Sequence, residues 1–171
     1  MKVFLTGFMA AGKSAVGRRL GRIAGVPFLD LDADIENRAR KRISEIFTEG
    51  GEAAFREFER AALEDAVLQE SVIVAAGGGV VVDVANRRLM RKSGTIVWLD
   101  TDLELILERL KKPRPSRRPL ATSEKELREL FRRRVEAYRD CDLRIVIGAE
   151  DPVEVVAERV LARLGAPKCG T

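Results

Sequence analysis

Gly7-Phe8-Met9-Ala10-Ala11-Gly12-Lys13-Ser14 fits the pattern G-x-x-x-x-G-K-[ST]. Val3-Phe4-Leu5 before it reads as a short buried strand. Ala15 to Ala24 after it reads as a helix, with apolar Val16, Leu20, Ile23 and Ala24 at helical spacing and Gly25 as its C-terminal cap. Strand, glycine-rich loop and helix are the context a phosphate-binding loop requires. Backbone N–H groups of the loop and the helix N-terminus then face one concavity where phosphate oxygens can sit. Lys13 supplies a positive charge to the β- and γ-phosphates, and the Ser14 hydroxyl can ligate Mg²⁺.

The chain of 171 residues suggests one domain, 1–171, and an apolar fraction of 46% can supply its core. No apolar run approaches the roughly 20 residues that span a membrane. The N-terminus carries no signal-peptide pattern, so a cytoplasmic protein is expected. There is no histidine, which excludes histidine catalysis and histidine metal ligation. Cys141 and Cys169 have no metal-ligand spacing. The net charge of +4 fits either nucleic acid or small anions as ligand, but aromatic residues are only 5%, too few for a base-stacking platform. No nucleic-acid partner is expected.

Pro27 to Leu31 reads as a second buried strand that delivers Asp32-Ala33-Asp34. In an open parallel sheet, ligands sit beyond the carboxyl ends of strands. Both aspartates then belong to the cleft of the phosphate loop, although Asp32 can equally cap the next helix. Helices are read at 35–42, from Ser44, and from Glu52 to Glu70, with Gly50-Gly51 as a break. Arg56 and Glu59 lie three apart on one helical face, which by itself describes a surface ion pair. Val72 to Ala75 is a third strand, followed at once by Gly77-Gly78-Gly79, either a close approach to a ligand or a tight turn. A helix at 83–92 precedes a fourth strand, Thr95 to Leu99, and a helix capped by Thr101.

Lys111 to Leu120 holds three prolines and five basic residues, which reads as a flap over phosphates or as a solvated loop. Ser123 and Glu126 form a capping box for a helix whose apolar face is Leu127, Leu130, Phe131, Val135 and Tyr138. Leu143 to Ile147 is the fifth strand. A last helix starts at Asp151-Pro152, with the proline at its first position, and the tail is placed at 165–171. Strands alternating with helices predict an α/β fold of three layers, α/β/α, around a parallel sheet with right-handed crossovers. A phosphate cradle, two carboxylates, a glycine turn and a basic flap suit phosphoryl transfer from a nucleoside triphosphate.

GFMAAGKS, DLDADIE, FRxFE from Phe55 to Glu59, GGG, RPL from Arg118 to Leu120, and RxxxY from Arg134 to Tyr138 occur in an order and spacing that resemble the shikimate kinases over nearly the whole chain. The resemblance implies a P-loop fold with strand order 2-3-1-4-5, a substrate-binding segment at about 32–60 and a lid at about 111–122. It implies transfer of the ATP γ-phosphoryl group to the 3-hydroxyl of shikimate by a monomer that uses ATP and Mg²⁺. ATP would meet Ala10, Ala11, Gly12, Lys13, Ser14, Ala15, Arg109, Arg118 and Pro152. Mg²⁺ would be held by Ser14 and Asp32. Shikimate would meet Asp34, Arg56, Gly77, Gly78, Gly79 and Arg134, with Glu59 holding Arg56. Lys13, Asp34 and Arg118 would be catalytic. Ala10 stands where many relatives have glycine, so the loop must adopt angles that alanine tolerates. The readings kept beside this one are a related small-molecule kinase such as gluconate kinase, and a non-catalytic nucleotide-binding protein.

Overall fold

The computed structural model describes residues 1–111 and 123–165. The expected lid beyond Lys111, with Arg118, and the tail beyond Gly165 lie outside the described residues. Five strands, β1 (Lys2–Thr6), β2 (Phe28–Asp30), β3 (Val72–Ala75), β4 (Thr95–Thr101) and β5 (Leu143–Ile147), form one parallel sheet in the order β2-β3-β1-β4-β5, as expected. The helices are α1 (Lys13–Ala24), α2 (Leu31–Ala39), α3 (Ile43–Leu68), α4 (Val84–Ser93), α5 (Leu103–Lys111), α6 (Glu124–Arg139) and α7 (Val153–Gly165).

Successive strand side chains point to opposite faces, and here both faces are buried. Val3, Leu5, Ile73, Val97 and Leu99 pack with Leu20 of α1 and Val160 of α7 on one side. Phe4, Val72, Val74, Ile96 and Trp98 pack with Leu63 of α3, Met90 of α4 and Tyr138 of α6 on the other. That continuous apolar run through each central strand makes the three layers. Among the described residues no helix is long and apolar enough to cross a membrane.

Several boundaries differ from the sequence reading. The second strand ends at Asp30, and Leu31 opens α2. Leu31 is fully buried, and an apolar residue at this junction serves a helix as well as a strand. Asp30, not Asp32, therefore stands at the N-cap, with its Oδ1 3.5 Å from Ala33 N. The expected break is there at Gly51, whose φ 68 and ψ −167 are not helical and divide α3 into two helical stretches, and Phe47 stacks on Phe55 across it at 4.8 Å. Asp102 rather than Thr101 caps α5, accepting from Glu104 N at 2.8 Å. Pro152 sits at the N-cap of α7, its carbonyl accepting from Val156 N at 3.1 Å, one step before the expected first helical position.

The close contact between β1 and β4 has a sharp steric requirement. A Cβ added at Gly94, just before β4, would lie 2.4 Å from the Lys2 carbonyl oxygen. Gly94→Ala must force the two strands apart, and overpacking of this kind costs about 1–3 kcal/mol. Urea unfolding should show that loss. An unchanged midpoint would mean that the β1–β4 spacing is not set here.

Candidate active site

The sheet register assembles the site. Asp30 lies opposite Ala75, and Ala75 opposite Leu5, so β2, β3 and β1 end side by side. After β1 the phosphate loop turns at Gly7, where φ is 136 and an added Cβ would meet the Leu99 carbonyl at 2.7 Å. Ala10 takes φ 61, a left-handed conformation that alanine adopts at a cost of about 1–2 kcal/mol. The Thr101 hydroxyl donates to the Ala11 carbonyl at 3.4 Å and ties the loop to β4. Lys13 folds back, and its Nζ donates to the carbonyls of Gly7 and Phe8 at 2.8 and 2.9 Å. Burial lowers its pKa to about 8, against the opposing pull of Asp32 and Asp30.

The carboxylates are arranged one step earlier in sequence than expected. The Ser14 hydroxyl donates to Asp30 Oδ2 at 2.5 Å, so Asp30 is the carboxylate beside the phosphate loop. Asp32, in the first turn of α2, faces Gly77: a Cβ added there would lie 3.1 Å from Asp32 Oδ1 and 3.3 Å from Glu59 Oε1. Asp34 lies two residues further round the helix and is turned to Arg38, whose Nε is 2.6 Å from Asp34 Oδ2 without an aligned hydrogen bond. Arg38 in turn bonds Asp65 of α3. Asp30 and Asp32 both favour the charged form of Lys13. The expected pair Asp32 and Asp34 is thus replaced in space by Asp30 and Asp32. The physical reason is the early start of α2, which turns Asp34 towards α3. Among the described residues no group of three or more acidic or sulfur ligands could hold a metal. The oxygen donors near the loop are Ser14, Asp30 and Asp32.

Gly77, Gly78 and Gly79 each receive a different part of the site. Gly79 lies under the Arg56 guanidinium, where an added Cβ would be 2.7 Å from Nη1. Gly78 lies between the Gly7 carbonyl, Arg134 Nη1 and the Tyr138 hydroxyl, each within 3.6 Å of where a Cβ would stand. The glycine run thus lies directly against the Arg56, Arg134 and Tyr138 side chains. Arg56 Nη1 donates to Glu59 Oε2 at 2.6 Å and Nη2 to Glu52 Oε1 at 2.9 Å. The Glu59 side chain is 3% exposed, and burial pushes its carboxyl up against the pull of Arg56. With Glu59 buried, the pair is not a surface ion pair. Arg134, one turn before Tyr138 on α6, lies against the phenol, whose pKa burial pushes up to about 12.

On the other side of the loop, a cavity of about 180 Å³ is lined by Ala10, Ala11, Gly12, Ala15, Arg109 and Ile147, with Asp151 and Val153 closing it. Arg109 Nη1 donates to the Ala10 carbonyl at 3.3 Å. Pro152 is flanked by two wall residues and is not itself in the lining. Asp151 accepts from Gly148 N at 2.8 Å and from both terminal nitrogens of Arg159 at 3.0 and 3.1 Å, which fixes this wall. Sequence reasoning missed Asp30, Arg38, Tyr138 as a polar group, Asp151 and Arg159. Only Asp34–Arg38, at helical i,i+4 spacing, carried a local signal.

The chain matches the shikimate kinase family over residues 9–165. It is 39% identical to the shikimate kinase of Persephonella marina, over 95% of this chain and 98% of the relative. It is 45% identical to that of Geobacter sulfurreducens, over 91% of this chain and 87% of the relative. Its structure is similar to that of the Acinetobacter baumannii shikimate kinase in complex with shikimate, with a TM-score of 0.86 at 33% identity, covering 95% of this chain and 91% of the other. The agreement runs from the phosphate loop to the last helix, and the chain belongs to the shikimate kinase family of ATP-dependent phosphotransferases.

Proposed function

We propose that the enzyme moves the γ-phosphoryl group of ATP to the 3-hydroxyl of shikimate, giving shikimate 3-phosphate and ADP. The observation that carries this reading is the convergence of Arg56, Arg134 and Asp32 on one glycine loop beside Lys13. A small polyhydroxylated carboxylate needs cations for its carboxylate and an acceptor for its hydroxyls. Two planar guanidinium groups can grip the carboxylate bidentately and fix the ring. A solved relative, the A. baumannii enzyme, holds shikimate.

The residues then divide the work. Asp32, rather than Asp34, accepts the proton of the 3-hydroxyl as its oxygen attacks the γ-phosphorus. The bond from that phosphorus to the β–γ bridging oxygen breaks, and ADP leaves with the electron pair. Lys13 leaves the Gly7 and Phe8 carbonyls for the β- and γ-phosphates. Mg²⁺ suits Ser14 and Asp30, hard oxygen donors held 2.5 Å apart, and when bound it neutralises charge on the phosphates. Asp32 remains at the reacting hydroxyl. Arg118, outside the described residues, retains the lid role that its R-P-L motif suggests. The base of ATP fits the cavity beside Arg109, next to Pro152. Dependence on ATP supports a cytoplasmic location.

The direct test is ADP release from MgATP with shikimate, gluconate or no acceptor. Release should require shikimate; release with gluconate alone would sink the reading. The two candidate carboxylates separate by mutation. Asp32→Asn should lower kcat by about 10²–10⁴-fold, the usual worth of a positioned base, while Asp34→Asn should stay within severalfold of the parent. The reverse pattern would restore Asp34 to the chemistry. Proton linkage tests Lys13. With its pKa near 8 in the free site, the ammonium is largely deprotonated at pH 9, and phosphate contact restores the proton. ADP binding at pH 9 should therefore take up a large part of one proton per site, measured by calorimetry in buffers of different ionisation enthalpy. At pH 6.5 Lys13 should contribute none, since it is already charged. An equal uptake at pH 9 in Lys13→Met would show that another group titrates.

A further inference from the structure

The glycine loop and the 3₁₀ turn that follows it, Val80–Val82, have an unusual hydrogen-bond balance. Every carbonyl from Gly77 to Val82 is taken. The Gly77 and Gly79 carbonyls accept from Val80 N and Val82 N at 3.2 and 3.0 Å, within the turn. The other acceptors are satisfied from outside it. The Gly78 carbonyl accepts from the Tyr138 hydroxyl at 2.6 Å. The Val80 carbonyl accepts from Asn86 Nδ2 at 3.2 Å, and Asn86 is only 4% exposed. Arg87 Nη1 donates to the Val81 carbonyl and, at 3.2 Å, to that of Val82. Arg87 is itself held by Asp140 Oδ2 at 2.8 Å, at the end of the helix that carries Arg134 and Tyr138. By contrast, the N–H groups of Gly77, Gly78 and Gly79 have no protein acceptor among the described residues.

Consecutive N–H groups without acceptors make a surface for anionic or hydroxyl oxygens. A backbone carbonyl left free at the same place would compete with them, offering an acceptor where the ligand needs a donor. We infer that Tyr138, Asn86 and Arg87 are positioning residues for the acceptor substrate: by committing the loop's carbonyls, they leave Gly77–Gly79 presenting donors beside Arg56, Arg134 and Asp32. This rests on reading shikimate as the acceptor. Tyr138 has the most direct part, because its hydroxyl meets both the Gly78 carbonyl and Arg134. Asn86 and Arg87 act one step further out, through the turn.

The experiment uses the full chain and follows shikimate and ADP binding by calorimetry, with steady-state kinetics in parallel. Tyr138→Phe keeps the ring that stacks near Trp98 and removes only the donor. It should weaken shikimate binding by about tenfold, the worth of one net hydrogen bond, and raise the shikimate KM more than it lowers kcat. ADP affinity and thermal midpoint should stay close to the parent. Arg87→Met should act in the same direction, and Arg87→Lys should recover part of the loss. A merely structural role would instead weaken ADP and shikimate binding together and lower the thermal midpoint, which overturns the inference. Unchanged shikimate affinity in Tyr138→Phe and Arg87→Met overturns it as well, while leaving the kinase reading intact. A parent enzyme that binds no shikimate overturns both.

Discussion

The lateral register of three strands is the constraint on which the site depends. Asp30, Ala75 and Leu5 stand opposite one another in β2, β3 and β1. Parallel strands send their continuations out along one edge, so the first turn of α2, the glycine loop and the phosphate loop emerge together. β4 completes the edge with the Leu99 carbonyl beneath Gly7 and the Thr101 hydroxyl on Ala11. A slip of one residue would move a strand by about 3.3 Å and turn its side chains to the other face. Val3, Ile73 and Val97 on one side, and Phe4, Val74, Ile96 and Trp98 on the other, forbid that slip, because both faces are buried. Apolar matching in the sheet therefore fixes polar distances at its rim.

The rim gathers charges that burial alone would make costly. The fold satisfies them with one another. Lys13 rests on two carbonyls, Ser14 on Asp30, and Arg56 between two glutamates. The arms of Arg56 are unequal. Glu59 is almost fully buried, whereas Glu52 is 69% exposed. The inner contact orients the guanidinium, and breaking it would strand a buried carboxylate. The outer contact is solvated and weak, so an incoming carboxylate can displace it at little cost. One arginine is thereby held in place and still available.

The α/β alternation, the sheet order and the phosphate loop were legible because each rests on local pattern: apolar runs, glycines and a lysine at fixed spacing. The second strand was not. Asp30-Leu31-Asp32-Ala33-Asp34 contains two overlapping D-x-D pairs, and the choice between them depends on where a three-residue strand stops. Strand ends are uncertain by more than that single step, and buried Leu31 suits either assignment. Tyr138 was readable only as one apolar position on α6, because the partner of its hydroxyl, Gly78, is 60 residues away. Arg87 and Asp140 are 53 residues apart. Periodicity cannot bring such pairs together; they meet because α4 and α6 pack on the same face of the sheet.

The two halves of the site use different parts of the chain, and this bears on where selectivity lies. On the phosphate side the groups offered are backbone amides, with one lysine and one serine among them. Such a surface recognises any polyphosphate, and it tolerates a change such as alanine at position 10 for the strain of one left-handed residue. On the proposed acceptor side the groups are guanidinium and carboxylate side chains from α2, α3 and α6, standing over Gly79, where an added Cβ would displace the Arg56 guanidinium. Their helices are anchored by residues such as Ile35, Leu63 and Tyr138, each at most 1% exposed. Rigid supports of this kind hold a site to the narrow tolerances that distinguish one small anion from another. Discrimination among acceptors therefore belongs to the packing of three helices against the sheet, and only the phosphate chemistry belongs to the loop.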